Sequence, residues 1–523
     1  MNTMSSIVSS PLRNIEHRLR NLLPADLYVE AWVEPSAESL TRVFEHLRTL
    51  QHVLYNYMPR HVTVSLPSPG VLSHAWQEGT LMFTDLAGFT PLMEANAKIG
   101  QQGAEALLNL LNAYFATMLE IISKSGGNLL EFTGDALLIQ FPSGQRQTDT
   151  LRAVRAGLRM QHAMERFSQI DTPQGVLSLG MRVGIHTGRF LMADIGTPYR
   201  MEHILMGEAV QRTKRAEGAG EIGRVCLTEE AFERVEGSFY FNYGKENHLL
   251  VIDELSDEEL GSYEITISGG RRPSSAVLTD RSVDGLTVAI EELLNTVEAL
   301  ACFIPDAVLD LLVESASRRH IVPQFASPTI LFVNLAGIPQ SADRTEPGEE
   351  EILVTTFSRA FSLINAAVES HGGVLKKVTY HLYGSDIMIM FGIPSAHTND
   401  PSRAASAALA IRDIISNIPS LEIGGEMIDV YCQIGLAMGP VFAAEIGDPR
   451  GRREFNVLGD TVNTAARLMA LAKGNQILLT EEVFAKINHD FDCEDLGMIK
   501  LKGKADETSL LALTKLREGV VLY

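Results

Sequence analysis

The chain predicts an α/β fold built twice, each copy a sheet with helices packed against it. Three observations carry this. Short apolar runs ending in turn residues alternate with longer stretches of helical periodicity, the strand–helix–strand order of a layered α/β domain. The pattern recurs within the chain residue by residue. And 523 residues are too many for one hydrophobic core, while an apolar content of 45% is enough to fill two. Phe83-Thr84-Asp85-Leu86-Ala87-Gly88 returns as Phe332-Val333-Asn334-Leu335-Ala336-Gly337, and Gly134-Asp135 returns as Gly384-Ser385. Ala193-Asp194-Ile195-Gly196 returns as Ala444-Glu445-Ile446-Gly447, and Leu227-Thr228-Glu229-Glu230 as Leu479-Thr480-Glu481-Glu482.

These repeats divide the chain into a helical lead-in over 1–75, a first domain over 76–267, a linker and second lead-in over 268–327, a second domain over 328–514 and a tail over 515–523. In the first lead-in, Leu40, Val43, Leu47, Leu50 and Leu54 share one helical face, and Met58-Pro59 ends it. Leu81-Met82-Phe83 then reads as a buried strand ending at Asp85, with Ala87-Gly88 as a turn into a helix. Ala104, Leu108, Leu111, Phe115, Met118 and Ile122 make a helical core stripe closed by Gly126-Gly127. Glu131 to Leu138 reads as a hairpin with Asp135 in its tight turn. A helix over Leu151–Phe167 and a strand over Leu177–Gly184 follow, and Ile185-His186-Thr187-Gly188-Arg189 is expected to turn into the next strand. Gly207 opens a helix carrying Gln211 and Arg215. Ser268-Gly269-Gly270 with Pro273-Ser274-Ser275 is the linker by composition, and Leu293–Glu314 echoes the first lead-in.

Forty-four basic against 65 acidic residues leave a net charge of −21, which disfavours a nucleic-acid groove or an anionic membrane as partner. A nucleotide ligand stays open, because bound cations invert the local field. Cys226, Cys302, Cys432 and Cys493 are scattered without metal spacing and read as free thiols of a reducing compartment. No apolar run reaches membrane-spanning length, so a cytoplasmic protein is expected. An end at Tyr523, just past the second domain, leaves room for C-terminal regulatory regions if the chain is a fragment.

A strand-end carboxylate alone is most often a turn residue. Asp85 and Asp135 together, in adjacent strand turns, are what a two-metal phosphoryl-transfer site requires. Phe83–Thr90 and Glu131–Phe141 resemble the two metal-binding segments of class III nucleotidyl cyclases, and the duplicated module resembles the tandem, bicarbonate-sensitive soluble adenylyl cyclases. The resemblance implies a ferredoxin-like catalytic fold, with two homologous domains joined head to tail as an intramolecular pseudo-heterodimer. It implies two Mg²⁺ or Mn²⁺ ions on Asp85, Asp135 and the Leu86 backbone, with Phe89 and Thr90 at the phosphates. Asn463 and Arg467, four residues apart on one helix face, match the family's ribose- and transition-state-binding pair. An isolated Arg467 would read as a solvated helix residue.

Each half lacks what the other keeps. Domain two has Asn334 and Ser385 for the two aspartates, and domain one has Gln211 where domain two has Asn463. This complementary loss implies one live and one degenerate site, the latter comprising Glu131, Arg215, Asn334 and Ser385. For the base, the resemblance nominates Lys377, after Gly372-Gly373 and before a four-residue insertion, whereas counting back from Gly384 nominates His381. Asn456 is the second base position, and an amide reads either purine. Lys502 and Arg189 match phosphate-contacting positions, although a strand-edge lysine is often merely exposed. ATP is the expected substrate and cyclic AMP the expected product. The rivals are a guanylyl or pyrimidine nucleotide cyclase, for which Glu131 is the warning, and a catalytically silent nucleotide-sensing module. In the bicarbonate-sensitive relatives a lysine and an arginine hold the anion. Here those positions are Glu131 and Arg215, which are expected to neutralise one another.

Overall fold

The computed structural model describes residues 12–144, 148–172, 175–263, 278–316, 321–381, 384–448, 451–499 and 507–519. The chain divides into two compact units, one from residues 1–69 with 269–322 and the other from 70–268 with 323–523.

The smaller unit is helical. Helix Ala37–Tyr57 starts at Ser36, whose hydroxyl accepts from the Ser39 N–H in a reciprocal capping box. It packs along helix Val283–Ala301, capped in turn by Ser282. Leu40, Leu47 and Leu54 on one, with Leu286, Leu293 and Val297 on the other, are buried to 2% exposure or less. Arg18 seals the end with a 2.7 Å ion pair to Glu298. The two lead-ins therefore fold with each other. Apolar stripes on both explain this, since neither helix buries its stripe alone.

The larger unit holds both repeats. In the first, strands run in the order 128–133, 136–142, 73–87, 180–196, 225–227, 249–252, 240–243, with 201–206 also paired to 180–196. The second repeats this as 374–381, 384–391, 329–336, 431–438, 476–480, 508–516, 491–499. Residue alternation sorts the two faces of the first sheet. Met82, Ile139, Val183 and Ile185 face a core with helices Gln101–Lys124 and Asp149–Ala163. Leu81, Phe83 and Leu138 face the opposite way, toward Ala209 and Val210 of helix Glu208–Ala219 and Tyr380 of the second repeat. Helix Gln101–Lys124 is long and apolar enough to cross a membrane, yet Leu107, Leu111, Phe115 and Met118 are wholly buried in this core.

One reading of the sequence is corrected. Residues Ile185–Arg189 do not turn: Gly180–Gly196 is one continuous strand whose residues Gly180–Asp194 pair with Ser73–Ala87 along its full length. The turn expectation fits the second repeat instead, where the counterpart breaks at Gly439-Pro440 into strands Tyr431–Met438 and Val441–Gly447. Pro440 stands where domain one has Arg189, and proline cannot donate to a ladder.

Candidate active site

Asp85 lies near the end of strand Ser73–Ala87, paired in register with Arg182. The Arg182 guanidinium forms ion pairs with Asp85 and, at 3.1 Å, with the buried carboxylate of Glu217. Glu217 also holds the Lys214 ammonium at 2.8 Å, and Lys214 rests 4.7 Å from the centre of the Phe83 ring. Asp135 sits in the next hairpin turn, which Gly134 makes possible with φ of 68°. Burial first, and the Asp85 charge second, push the Asp135 carboxyl up to about 7. Burial works to lower the Lys214 pKa, but Glu217 and Asp85 together hold it above the ordinary lysine value. Two carboxylates close enough to oppose one another's ionisation, on adjacent turns, fit a hard divalent cation.

Beyond Asp85 and Leu86 the chain turns at Gly88, with φ of 91°, where a side chain would collide with the Ser178 carbonyl. Helix Phe89–Ala97 starts at once, so Phe89 and Thr90 contribute N–H groups of its first turn beside Asp85.

Domain two supplies the facing edge. Asn456 on strand Arg453–Leu458 donates to the Gly134 carbonyl at 2.9 Å, against the turn that carries Asp135. At Gly459, φ 146°, an added Cβ would lie 3.2 Å from Met93 of domain one, so helix Asp460–Leu471 starts against helix Phe89–Ala97. Asn463 is exposed one turn into that helix, and Arg467 is half-buried with its guanidinium 3.7 Å from Asp460. No described ion pair joins Arg467 to Asp85 or Asp135.

Register settles the alignment of the two hairpins. Glu131 pairs with Leu138 just after a bulge, and Lys377 pairs with Met388 just after the matching bulge. Asp135 and Ser385 occupy equivalent turns, so Lys377, not His381, is the counterpart of Glu131, and Tyr380–Tyr383 is the insertion. Lys377 is nevertheless committed. Its ammonium donates to the Phe132 carbonyl and to Glu454 at 2.7 Å, and pairs with Glu131 at 3.3 Å. A lysine has three donors, and these partners use all three. A base therefore reaches Lys377 only by displacing a partner, of which Glu131 is the most distant. Lys376 beside it also pairs with Glu454, and burial brings its pKa down to about 8.

Other expectations are also revised. Arg189 is exposed and stacks on Trp76 at 4.4 Å, opposite Glu78, while Asp85 faces Arg182 seven pairs along the ladder. At about 3.3 Å per residue that is roughly 23 Å from the aspartate. Arg182 is the arginine at the site, and its signal was a lone charge within Gly180-Met181-Arg182-Val183-Gly184. Lys214 and Glu217 were missed because their helix was read only for Gln211 and Arg215. Lys502 lies outside the described residues.

The matching turns of domain two are closed by protein. Asn334 donates to Gln433 at 2.9 Å, a neutral amide pair at the register of Asp85 and Arg182. Ser385 donates to the Leu205 carbonyl at 3.1 Å, and Tyr380 Oη accepts from the Leu205 N–H at 2.8 Å. Asp343 accepts from the Glu208 N–H at the start of helix Glu208–Ala219. Arg215 is exposed on that helix, so Glu131 is neutralised by Lys377 rather than by Arg215.

Known proteins agree with this architecture. Residues 71–255 and 322–513 match the adenylate and guanylate cyclase catalytic domain. The chain is 24% identical over 423 residues to adenylate cyclase type 10 of Oryctolagus cuniculus, covering 78% of this chain and 24% of that protein. It therefore spans about a quarter of that relative's length. An adenylate cyclase of Mycobacterium tuberculosis is 29% identical over 206 residues, 39% of this chain and 43% of the relative. Among solved structures, a class III adenylyl cyclase-like ATP-binding protein from Pseudomonas aeruginosa superposes with a TM-score of 0.54 at 15% identity, over 85% of this chain and 93% of that one. With its family's domain matched twice over most of its length, the chain belongs to the adenylate and guanylate cyclase catalytic domain family.

Proposed function

We propose that the chain is an adenylyl cyclase, forming 3′,5′-cyclic AMP and pyrophosphate from ATP at one site between its two domains, in the cytoplasm. The observation that carries this is the asymmetry of the two turns. Asp85 and Asp135 are carboxyl groups on adjacent turns, the second turn held by Asn456 of domain two, whereas Asn334 and Ser385 are neutral and bonded within the protein.

Asp85, Asp135 and the Leu86 carbonyl would hold two Mg²⁺ or Mn²⁺ ions, which when bound would activate the ribose 3′-hydroxyl and balance charge on the leaving pyrophosphate. The remaining work falls to the chain. The first-turn N–H groups of Phe89 and Thr90 donate to the phosphates, and Arg182 and Lys214 hold positive charge beside them. Arg467 stabilises charge that develops on the α-phosphoryl oxygens, and Asn463 orients the ribose. Asn456 meets the base, and Lys377 joins it once Glu131 yields. Lys502 belongs to the phosphates in this reading.

A second reading, nucleotide binding without turnover, draws on the commitment of Lys377 and on the Arg182–Asp85 pair, which occupies the carboxylate an ion would need. Incubating the protein with each of the four nucleotides and Mn²⁺, with product identification by mass, separates the two. Cyclic AMP from ATP supports the first reading. Saturable ATP binding with no cyclic product supports the second.

A further inference from the structure

The two repeats differ at a place that the nucleotide and metal candidates reach only at its rim, where Arg467 faces Asp460 at 3.7 Å. In domain one, His186 is buried opposite Leu81, with Nδ1 2.9 Å from Thr228 Oγ1 and 3.6 Å from Glu230. Beside it Arg212 donates to Glu208 at 3.0 Å and also pairs with Glu230. An imidazole and a guanidinium thus fill the space between strand Gly180–Gly196, helix Glu208–Ala219 and the start of helix Glu229–Glu233.

Strand register carries each position into domain two. Ala437 stands opposite Ile330 where His186 stands opposite Leu81. Leu436 pairs with Leu479 as Ile185 pairs with Leu227, so Thr480 and Glu482 replace Thr228 and Glu230. From Gly459, the counterpart of Gly207, Asp460 and Thr464 replace Glu208 and Arg212. Both basic side chains are gone, while both carboxylates and the hydroxyl remain.

What is left is a cavity of about 330 Å³, at the small end of ligand sites. Thr480 lines it at 3% exposure, and its hydroxyl has no hydrogen-bond partner. The equivalent Thr228 hydroxyl is bonded to His186 and accepts from the Ala231 N–H. A buried hydroxyl without a partner is costly, which marks a place for a ligand donor or acceptor. Glu481 and Glu507 add two more carboxylates, and no lysine, arginine or histidine among the described residues lines the cavity.

We propose that this cavity binds a small organic cation of the guanidinium class, seated where domain one places the Arg212 and His186 side chains. A planar guanidinium offers paired N–H donors to Glu482 and to the Asp460 carboxylate, which also faces Arg467 at 3.7 Å, as Arg212 does to Glu208 and Glu230. Its remaining donors meet Thr480.

The test uses the whole chain without nucleotide, in chelator, titrated with agmatine by calorimetry at low fixed ionic strength. Saturable binding is expected. Glu482→Gln should weaken it about tenfold, the ~1.4 kcal/mol of one charge-assisted hydrogen bond. The double variant Ala437→His/Thr464→Arg rebuilds the domain-one arrangement, so it should abolish binding while keeping or raising the melting temperature. No saturable agmatine binding to the parent chain overturns the proposal. So does equal binding by the refilled variant, or Ca²⁺ or Mg²⁺ binding that Glu482→Gln removes while agmatine does not bind.

Discussion

The Glu131 carboxylate lies 3.3 Å from the Lys377 ammonium, and the two residues hold the same register position in the two repeats. One half of the repeat thus supplies the counter-ion for the other half's base candidate. Burial pushes the Glu131 carboxyl up, and Lys377 pulls it back toward ionisation. Glu454 is held down at about 2 by Lys376 and Lys377, despite its burial. It is therefore the firm partner of Lys377, and Glu131 the one that yields. Glu131→Gln should release one lysine donor to the substrate. The expected result is a KM for ATP lowered about five-fold, near one net hydrogen bond, with kcat within two-fold. Steady-state kinetics with ATP and GTP check this, and an unchanged KM with lowered kcat would count against it.

The division of labour between the halves makes a paired prediction. Arg467→Ala should lower kcat by roughly 10²–10³-fold, as for loss of a transition-state donor, while Arg215→Ala should leave it within two-fold. Near-full turnover in Arg467→Ala would mean the sites are exchanged. Restoring both carboxylates through Asn334→Asp and Ser385→Asp should not create a second site, because Tyr380 and Asp343 already occupy backbone groups of Leu205 and Glu208. Calorimetry with a non-cyclisable ATP analogue should still give one nucleotide per chain.

The sheets and the two aspartate turns were legible because apolar periodicity and the internal repeat act through local pattern. Partnership across the sheet was not. Arg182 meets Asp85 through antiparallel register, which depends on how far strand Gly180–Gly196 runs before it ends. Reading Ile185–Arg189 as a turn cuts that strand short and hides the pairing of Arg182 with Asp85. The pairing of Lys377 with Glu131 and Glu454 is likewise hidden, because it joins three segments far apart in the sequence, one of them from the other domain.

Acid sensitivity should trace in part to His186. Burial lowers its pKa from 6.5 to about 4 in the folded chain. Below 6.5 the unfolded chain takes up a proton that the folded chain refuses, so stability should fall as pH drops from about 6.5 to 4 and level off beneath. The slope from this one group is at most about 1.4 kcal/mol per pH unit. Urea denaturation across that range should show His186→Gln with a shallower dependence than the parent chain. An identical slope would place the acid sensitivity elsewhere.

The tandem layout raises the matter of bicarbonate. An anion bound in the degenerate half needs cations facing an open pocket, and neither condition is met. Glu131 brings a carboxylate, and the nearby Lys377 is already held by Glu131, Glu454 and the Phe132 carbonyl. Arg215 is exposed, and the start of its helix, the other natural anion seat, already has Asp343 bonded to the Glu208 N–H. Displacing that carboxylate and opposing Glu131 costs more than a millimolar ligand, worth about 4 kcal/mol, can offset. Sodium bicarbonate titrated against equal sodium chloride at fixed pH should leave cyclase activity unchanged, and a saturable rise with bicarbonate alone would refute this. From sequence, Glu131→Lys would be expected to install the response. The structure reverses that expectation, because the new ammonium would face Lys377 across 3.3 Å of buried space. That variant should lose stability by roughly 3–5 kcal/mol, as for a broken buried ion pair, and should remain unresponsive to bicarbonate.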